Sequence, residues 1–94
     1  MYARVVRFTD VPSERIAEIV SRVEGEGPPP GVDSTGLELF YDEAQGSAVF
    51  VGYFESEEKM RDASAVFEAM DASETPGSRA SVDICEVKVQ RSLG

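Results

Sequence analysis

A central segment of eight residues, SAVFVGYF at positions 47–54, is apolar on both faces when it is drawn as a strand. Successive side chains of an extended chain alternate between the two faces, so Val49 and Val51 point one way while Phe50 and Phe54 point the other. Both sides of such a strand must be covered. A chain of 94 residues can cover one face of a sheet with its own helices. The sequence therefore predicts that something else covers the second face.

Three further segments predict strands and two predict helices. Residues 2–9, 36–42 and 80–90 are rich in β-branched or aromatic side chains, as strands are. The stretches after the first and the third strand carry apolar residues at helical spacing instead. These apolar stripes are Ile16, Ile19, Val20 and Val23 in the first helix, and Met60, Ala63, Val66, Phe67 and Met70 in the second. The predicted order is therefore β-α-β-β-α-β.

This order is the pattern of the ferredoxin-like fold, an α+β fold. It predicts a four-stranded antiparallel sheet with two helices on one face, in a single domain over residues 1–94. The stretch GPPPGVDSTG at 27–36 predicts a loop, because proline lacks the backbone donor that helices and central strands need. The apolar phase of the last strand slips after Ile84, which predicts a bulge or a bend near Cys85 and Glu86.

The hairpin between the second and third strands decides which side chains share a face. Its loop, EAQGS, predicts a three-residue turn with Gly46 in the left-handed conformation, so that residue 43 lies opposite residue 47. Odd positions of both strands then share one face of the sheet. We expect this aliphatic odd face to pack on the helices. It consists of Val5, Leu37, Leu39, Tyr41, Val49, Val51 and Tyr53.

The even face of the predicted sheet carries four of the five phenylalanines of the chain. It consists of Arg4, Val6, Phe8, Glu38, Phe40, Asp42, Phe50 and Phe54. If this face were exposed, its apolar area would exceed that of the largest apolar patch on a typical soluble monomer, which is roughly 300–600 Å². The economical cover is a second copy of the chain, packed sheet to sheet about a two-fold axis. We therefore expect a homodimer.

The charge of the chain bears on its partners and its location. Its 18 acidic and nine basic side chains give a net charge of −9, which repels phosphate backbones, so we expect no nucleic-acid partner. No apolar run reaches the ~20 residues that span a bilayer, and the polar start MYARVVRFTD lacks the apolar segment of a signal peptide. We expect no membrane partner and a cytoplasmic location. Cys85 is the sole cysteine, which leaves no internal disulfide and no cysteine metal cluster.

Two segments resemble a known superfamily. The junction GYFESEEKM at the end of the third strand, and VVRFTDVPSERI around the end of the first, are similar to the corresponding parts of dimeric α+β barrel proteins. The closest resemblance is to the antibiotic-biosynthesis-monooxygenase-like group. It implies a barrel made from the sheets of two subunits, with a ligand cavity between each sheet and its helices or within the dimer. As activity it implies small-molecule binding, or a cofactor-independent oxygenase acting on a planar apolar compound.

The chain lacks the residues that members of that group typically use for catalysis. The group typically uses an Asn on the first strand, a Trp at the end of the third strand and a His on the second helix. These positions correspond to the neighbourhoods of Val6, Phe54 and Ala63, but the chain contains no His, no Trp and no Asn. Haem ligation by histidine and a histidine proton shuttle are therefore excluded, and we expect no cofactor and no metal. The alternative function is a non-catalytic dimerisation or ligand-binding regulatory module, of which ACT-type domains are an example.

The residues that remain for a ligand site lie on the even face. The predicted site consists of Arg4, Phe8, Glu38, Phe40, Phe50 and Phe54, with prolines 28–30 at its mouth. The rings would stack on a planar ligand, Arg4 would stabilise an oxyanion, and Glu38 or Asp42 would act as a base if burial raised its pKa. Two alternatives stay open. Arg4 and Glu38 form an ion pair between subunits or a solvated pair at the rim, and the rings pack only across the dimer.

Overall fold

The computed structural model of the chain describes residues 1–70 and 75–93. Its elements are β1 (Tyr2–Thr9), α1 (Ser13–Glu26), β2 (Gly36–Asp42), β3 (Ser47–Phe54), α2 (Glu57–Glu68) and β4 (Ser78–Glu86). The strands form one antiparallel sheet in the order β2-β3-β1-β4, so β1 and β3 are central and β2 and β4 are edges. The predicted ferredoxin-like fold is confirmed. Neither helix in the described part of the chain is long and apolar enough to cross a bilayer.

The hairpin between β2 and β3 differs from the predicted one by one residue. Asp42 pairs with Ser47, so the loop has the four residues 43–46 instead of three. The carboxylate of Asp42 fixes this turn, because it accepts hydrogen bonds from the backbone N–H of Gln45 at 3.2 Å and from Gln45 Nε2 at 2.7 Å. Gly46 is left-handed, as predicted, with φ +64°. This shift of one residue changes which positions share a face, so that the odd positions of β2 lie with the even positions of β3.

The prediction of which face packs on the helices was right for β2 but wrong for β1 and β3. The face under the helices, here the helix-covered face, carries the even positions of β1, β3 and β4 from Val82 on, and the odd positions of β2. The other face, here the open face, carries Val5, Glu38, Phe40, Val49, Val51 and Tyr53 among others. The physical reason is size. Large rings fill the gap between the sheet and the helices that valines would leave open. Phe8 and Phe50, for example, pack edge to face with their ring centres 5.5 Å apart.

Two buried clusters hold the helices to the sheet. One joins Val6, Phe8, Val11 and Ala48, with Ile16 of α1 packed against it. The other joins Phe54 at the end of β3 to Met60 and Ala63 of α2, and Phe54 and Met60 are each only 1% exposed. Burying one such side chain contributes about 1.5–3 kcal/mol. These contacts fix where α2 lies over the sheet.

Helix α2 begins at a capped residue and lies over the two central strands. The hydroxyl of Ser56 accepts the backbone N–H of Lys59 at 3.2 Å, and Glu57 and Glu58 follow in the first turn, where the helix dipole favours negative charge. The helix packs on β1 and β3. The edge strand β4 is left largely uncovered on its helix side.

The last strand is shorter than predicted and its irregularity lies elsewhere. The sequence predicted a strand over 80–90 with a bulge or bend near Cys85 and Glu86. Strand β4 instead pairs regularly with β1 through Glu86 and ends there, which explains the slip in the apolar pattern. The shift in register lies at the other end of the strand, where Ala80 is the extra residue.

Candidate functional site

A cavity of about 420 Å³ lies between α2 and the β1–β4 side of the sheet. Its floor is formed by Arg4 of β1 and by Val82 and Ile84 of β4. Its wall comes from one stripe of α2, namely Glu57, Met60, Arg61, Ser64 and Glu68. These α2 positions are three or four residues apart, or adjacent, so they share one face of a helix.

The cavity exists because α2 packs over the central strands and leaves β4 largely uncovered. Helix α2 is anchored by Met60 over the central strands, so nothing from α2 reaches fully across β4. The side chain of Ile84 therefore stays 54% exposed although it points to the helix-covered face, where it pairs with Arg4 in the neighbouring strand. An apolar floor next to a buried cation is the result.

Arg4 is the central polar group of this cavity. Arg4 is only 7% exposed to solvent. The guanidinium lies 5.0 Å from the centre of the Phe67 ring, and Nη2 donates a hydrogen bond of 3.3 Å to Oε1 of Glu68. Burial lowers the pKa of Arg4; the Glu68 charge opposes this shift, and the Arg79 charge adds to it. Arginine still keeps its charge at neutral pH, so the cavity contains a poorly hydrated cation.

Glu68 is shared between two guanidinium groups, and Arg79 has the closer one. Arg79 Nη1 lies 2.5 Å from Oε1 of Glu68, against 3.3 Å for Arg4. The hydrogen bond from Arg79 is the main reason that the pKa of Glu68 is lowered, and the same bond raises the pKa of Arg79. Two cations and one carboxylate leave one net positive charge at this end of the cavity.

Two polar atoms of the residues that line the cavity are buried without a partner in the described part of the chain. Arg4 Nε and Ser64 Oγ have no hydrogen-bond partner among the described residues. A buried donor left unsatisfied costs about 1–3 kcal/mol. A protein keeps such groups where something else satisfies them, and a ligand in the cavity would do so.

The structure does not bring the six predicted site residues together. Arg4 lines the cavity, whereas Phe8 and Phe54 lie on the same face within the buried clusters. Glu38 and Phe40 lie on the face away from the helices, as predicted, but the register between β2 and β3 differs by one residue from the predicted one and so separates them from Arg4. The predicted pairing of Arg4 with Glu38 on one face is therefore wrong.

On the open face, Glu38 has a different partner. The hydroxyl of Tyr53 donates to Oε1 of Glu38 at 2.7 Å, and this bond is the main reason that the pKa of Tyr53 is raised. Phe40 beside them is 53% exposed. Val49 and Val51 are partly exposed on the same face.

The remaining predicted site residue, Phe50, lines a second and smaller cavity of about 230 Å³ between α1 and the β2–β3 side of the sheet. Its other lining residues are Val20, Val23, Glu24, Leu37 and Leu39. This groove is apolar apart from one carboxylate. Prolines 28–30, predicted at the mouth of a site, line neither of the two cavities.

Sequence reasoning missed Ser64, Glu68 and Arg79 as members of a site. The spacing of Glu57, Ser64 and Glu68 already placed polar groups on one side of the apolar stripe of α2. Arg79 gave no such signal, since its approach to Glu68 depends on the path of the chain into β4. In the described part of the chain, no three His, Cys, Asp or Glu residues lie where they could hold a metal ion.

Comparison with known proteins gives a match at the level of structure. The fold is similar to the crystal structure of a candidate antibiotic biosynthesis monooxygenase from Chloroflexus aurantiacus J-10-fl, with a TM-score of 0.58 and 17% sequence identity. The match covers 99% of this chain and 98% of that one. No family model and no curated protein matches the sequence. At this identity the likeness concerns the fold, and at that level it confirms the resemblance predicted from the sequence.

Proposed function

We propose that the chain is a small-molecule-binding protein of the antibiotic-biosynthesis-monooxygenase-like group, and that a planar apolar compound occupies the cavity between α2, β1 and β4. The observation that carries this proposal is the buried, incompletely bonded guanidinium of Arg4 in an otherwise apolar floor. The volume of about 420 Å³ falls in the range of roughly 300–1,000 Å³ that small-molecule sites occupy.

Oxygenase chemistry without a cofactor would require two groups in this cavity. It needs a positive group where the anion of an electron-rich aromatic compound develops, and Arg4 supplies one. It also needs a base of suitable pKa. Glu68 is the carboxylate nearest Arg4, and its lowered pKa makes it a weak base.

The second candidate function is a ligand-binding module without turnover. It is favoured by the lowered pKa of Glu68 and by the absence of histidine from the chain. Oxygen consumption in the presence of a bound aromatic compound separates the two candidates, because only an oxygenase consumes oxygen in proportion to the ligand converted.

We further propose that a second copy of the chain covers the open face. Val5, Val49 and Val51 form its apolar centre, flanked by the exposed ring of Phe40. The expected homodimer thus remains a sheet-to-sheet barrel through the face away from the helices, but β1 and β3 contribute their odd positions to that face and not the even ones that the sequence suggested. With a net charge of −9, neither nucleic acid nor an anionic membrane is proposed as a partner.

The experiment for the ligand site is a thermal-shift screen of planar aromatic compounds against three proteins. Ile84→Trp fills the candidate cavity from an exposed position, and Leu37→Trp fills the second cavity from a comparably exposed one, since the two residues are 54% and 45% exposed. Ligands should stabilise the wild type and Leu37→Trp but not Ile84→Trp. If Leu37→Trp alone abolishes the shift, the ligand binds in the second cavity.

A further inference from the structure

We infer that the ligand of this cavity carries a carboxylate, and that this carboxylate takes the place of Glu68 on Arg4. The inference rests on the proposed function, since it names the chemical class of the compound that would occupy the same cavity. It follows from which atoms of Arg4, Glu68 and Ser64 are bonded and which are not.

The guanidinium of Arg4 uses only half of the edge that it presents to Glu68. Its Nη2 donates to Oε1 at 3.3 Å, while Nε is buried without a partner. In arginine, the Nε–H and one Nη2–H point the same way from one edge of the planar group. That edge matches the two oxygens of a carboxylate, and pairs of this kind are among the strongest hydrogen bonds that proteins form.

Glu68 does not complete this pairing, because the same oxygen is already bound elsewhere. Arg79 holds Oε1 at 2.5 Å, so the contact with Arg4 is the longer and weaker of the two. Glu68 is also half exposed, and it can turn toward Arg79 without losing its main partner. A second carboxylate can therefore replace it on Arg4 while the Glu68–Arg79 pair is kept.

Charge and hydrogen bonding favour such an exchange. Arg4 and Arg79 together outweigh Glu68 by one positive charge, which a ligand carboxylate would neutralise. The unpartnered hydroxyl of Ser64 lines the same cavity and supplies a further donor. The rest of an aromatic carboxylate would rest on Val82 and Ile84, which form the apolar floor.

The test compares aromatic carboxylates with their neutral amides, using calorimetry at neutral pH. The probes are benzoate, 1-naphthoate and 2-anthroate, each beside the amide of the same ring system. We expect the carboxylates to bind the wild type roughly 10- to 100-fold more tightly than the amides, as for a hydrogen-bonded charge pair. Arg4→Met should remove this preference, and Arg4→Lys, which keeps the charge without the two-donor edge, should restore only part of it.

Two further variants test the exchange itself, and they should change affinity in opposite directions. Glu68→Gln removes the competing charge and should tighten carboxylate binding. Arg79→Met leaves Glu68 to Arg4 alone and should weaken it. Both variants lose the same ion pair, so a purely structural effect would move them in the same direction, and amide binding serves as the control for the cavity as a whole.

The outcomes separate this inference from the proposed function. If carboxylates and amides bind equally, the cavity is a ligand site but the carboxylate inference is wrong. If Glu68→Gln and Arg79→Met shift the affinity in the same direction, the exchange is wrong. If neither class of probe binds, both the inference and the proposed function at this cavity fail.

Discussion

Arg4 and Glu68 are joined by one hydrogen bond of 3.3 Å, from a guanidinium buried in β1 to a carboxylate at the end of α2. Arg79 of β4 holds the same carboxylate oxygen from the other side. One carboxylate thus connects a central strand, an edge strand and a helix. The geometry of the candidate cavity depends on the charge of that carboxylate, so pH should affect the fold through it.

Protonation of Glu68 should destabilise the protein in acid. The hydrogen bond from Arg79 lowers the pKa of Glu68 below its ordinary value of 4.5. A carboxylate whose pKa is lowered by folding contributes stability above its unfolded pKa and loses it as the pH falls through the folded pKa. We expect Glu68→Gln to lose less of its free energy of unfolding than the wild type between neutral pH and about pH 3, as measured by urea denaturation.

A double-mutant cycle of Glu68→Gln and Arg79→Met isolates this pair from other carboxylates. The coupling free energy between the two residues should be favourable at neutral pH and absent in acid. A coupling of equal size at both pH values would show that the pair does not depend on the charge of Glu68.

Two phenylalanines test the assignment of the faces. Phe54 is 1% exposed under α2, whereas Phe40 is 53% exposed on the open face. Replacing a buried phenylalanine by alanine typically costs about 3–5 kcal/mol through lost contacts and the cavity left behind. Phe54→Ala should reduce the free energy of unfolding by that amount in urea denaturation, and Phe40→Ala should change it far less. The reverse order would mean that the faces are assigned wrongly.

The order of elements could be predicted from the sequence because it depends on local periodicity. Ile16 and Ile19, or Met60 and Ala63, are spaced for a helix whatever the rest of the chain does. The faces could not be predicted in the same way. The turn before Ser47, held by two hydrogen bonds from Gln45 to Asp42, decides which positions of β2 share a face with β3. The packing of large rings such as Phe8 and Phe50 decides which face lies under the helices.

The candidate site was predicted at one residue only, Arg4. Arg4 and Arg7 are the two arginines of β1, and a charged residue in such an apolar strand suggests a buried charge with a partner. The partners of Arg4, Phe67 and Glu68, lie more than 60 positions along the chain, and Arg79 lies beyond them. Contacts between residues so far apart in the sequence follow from the packing of α2 over the sheet, and no local sequence pattern specifies that packing.

A charge at the centre of the open face should break the proposed homodimer. Val51 lies on a central strand of that face, and a glutamate there would be buried without a partner when two sheets pack. We expect the wild type to show twice the mass of one chain by size-exclusion chromatography with light scattering, and Val51→Glu to show the mass of one chain. Circular dichroism should confirm that the variant remains folded.

Val20→Glu is the matched control for the dimer. Val20 lies on α1, on the helix side of the sheet, and is 39% exposed. This variant should keep the mass of the wild type. A wild type that has the mass of one chain would rule out the proposed dimer, and a monomer caused by Val20→Glu alone would place the interface on the helices.

Gly77, just before β4, should be required for the end of the sheet next to Arg79. A Cβ atom at this position would collide with the carbonyl oxygen of Thr9 and come within 2.9 Å of that of Asp10. Both are backbone atoms, so relief would need a movement of the chain and not of a flexible side chain. We expect Gly77→Ala to destabilise the protein in urea denaturation.

Gly25→Ala is the control for Gly77→Ala. Nothing lies within 4 Å of a Cβ there, and Gly25 is inside α1, so alanine should stabilise the helix by about 0.5–1 kcal/mol. If the two substitutions had the same effect, the close approach of residues 9–10 to Gly77 would not constrain the fold.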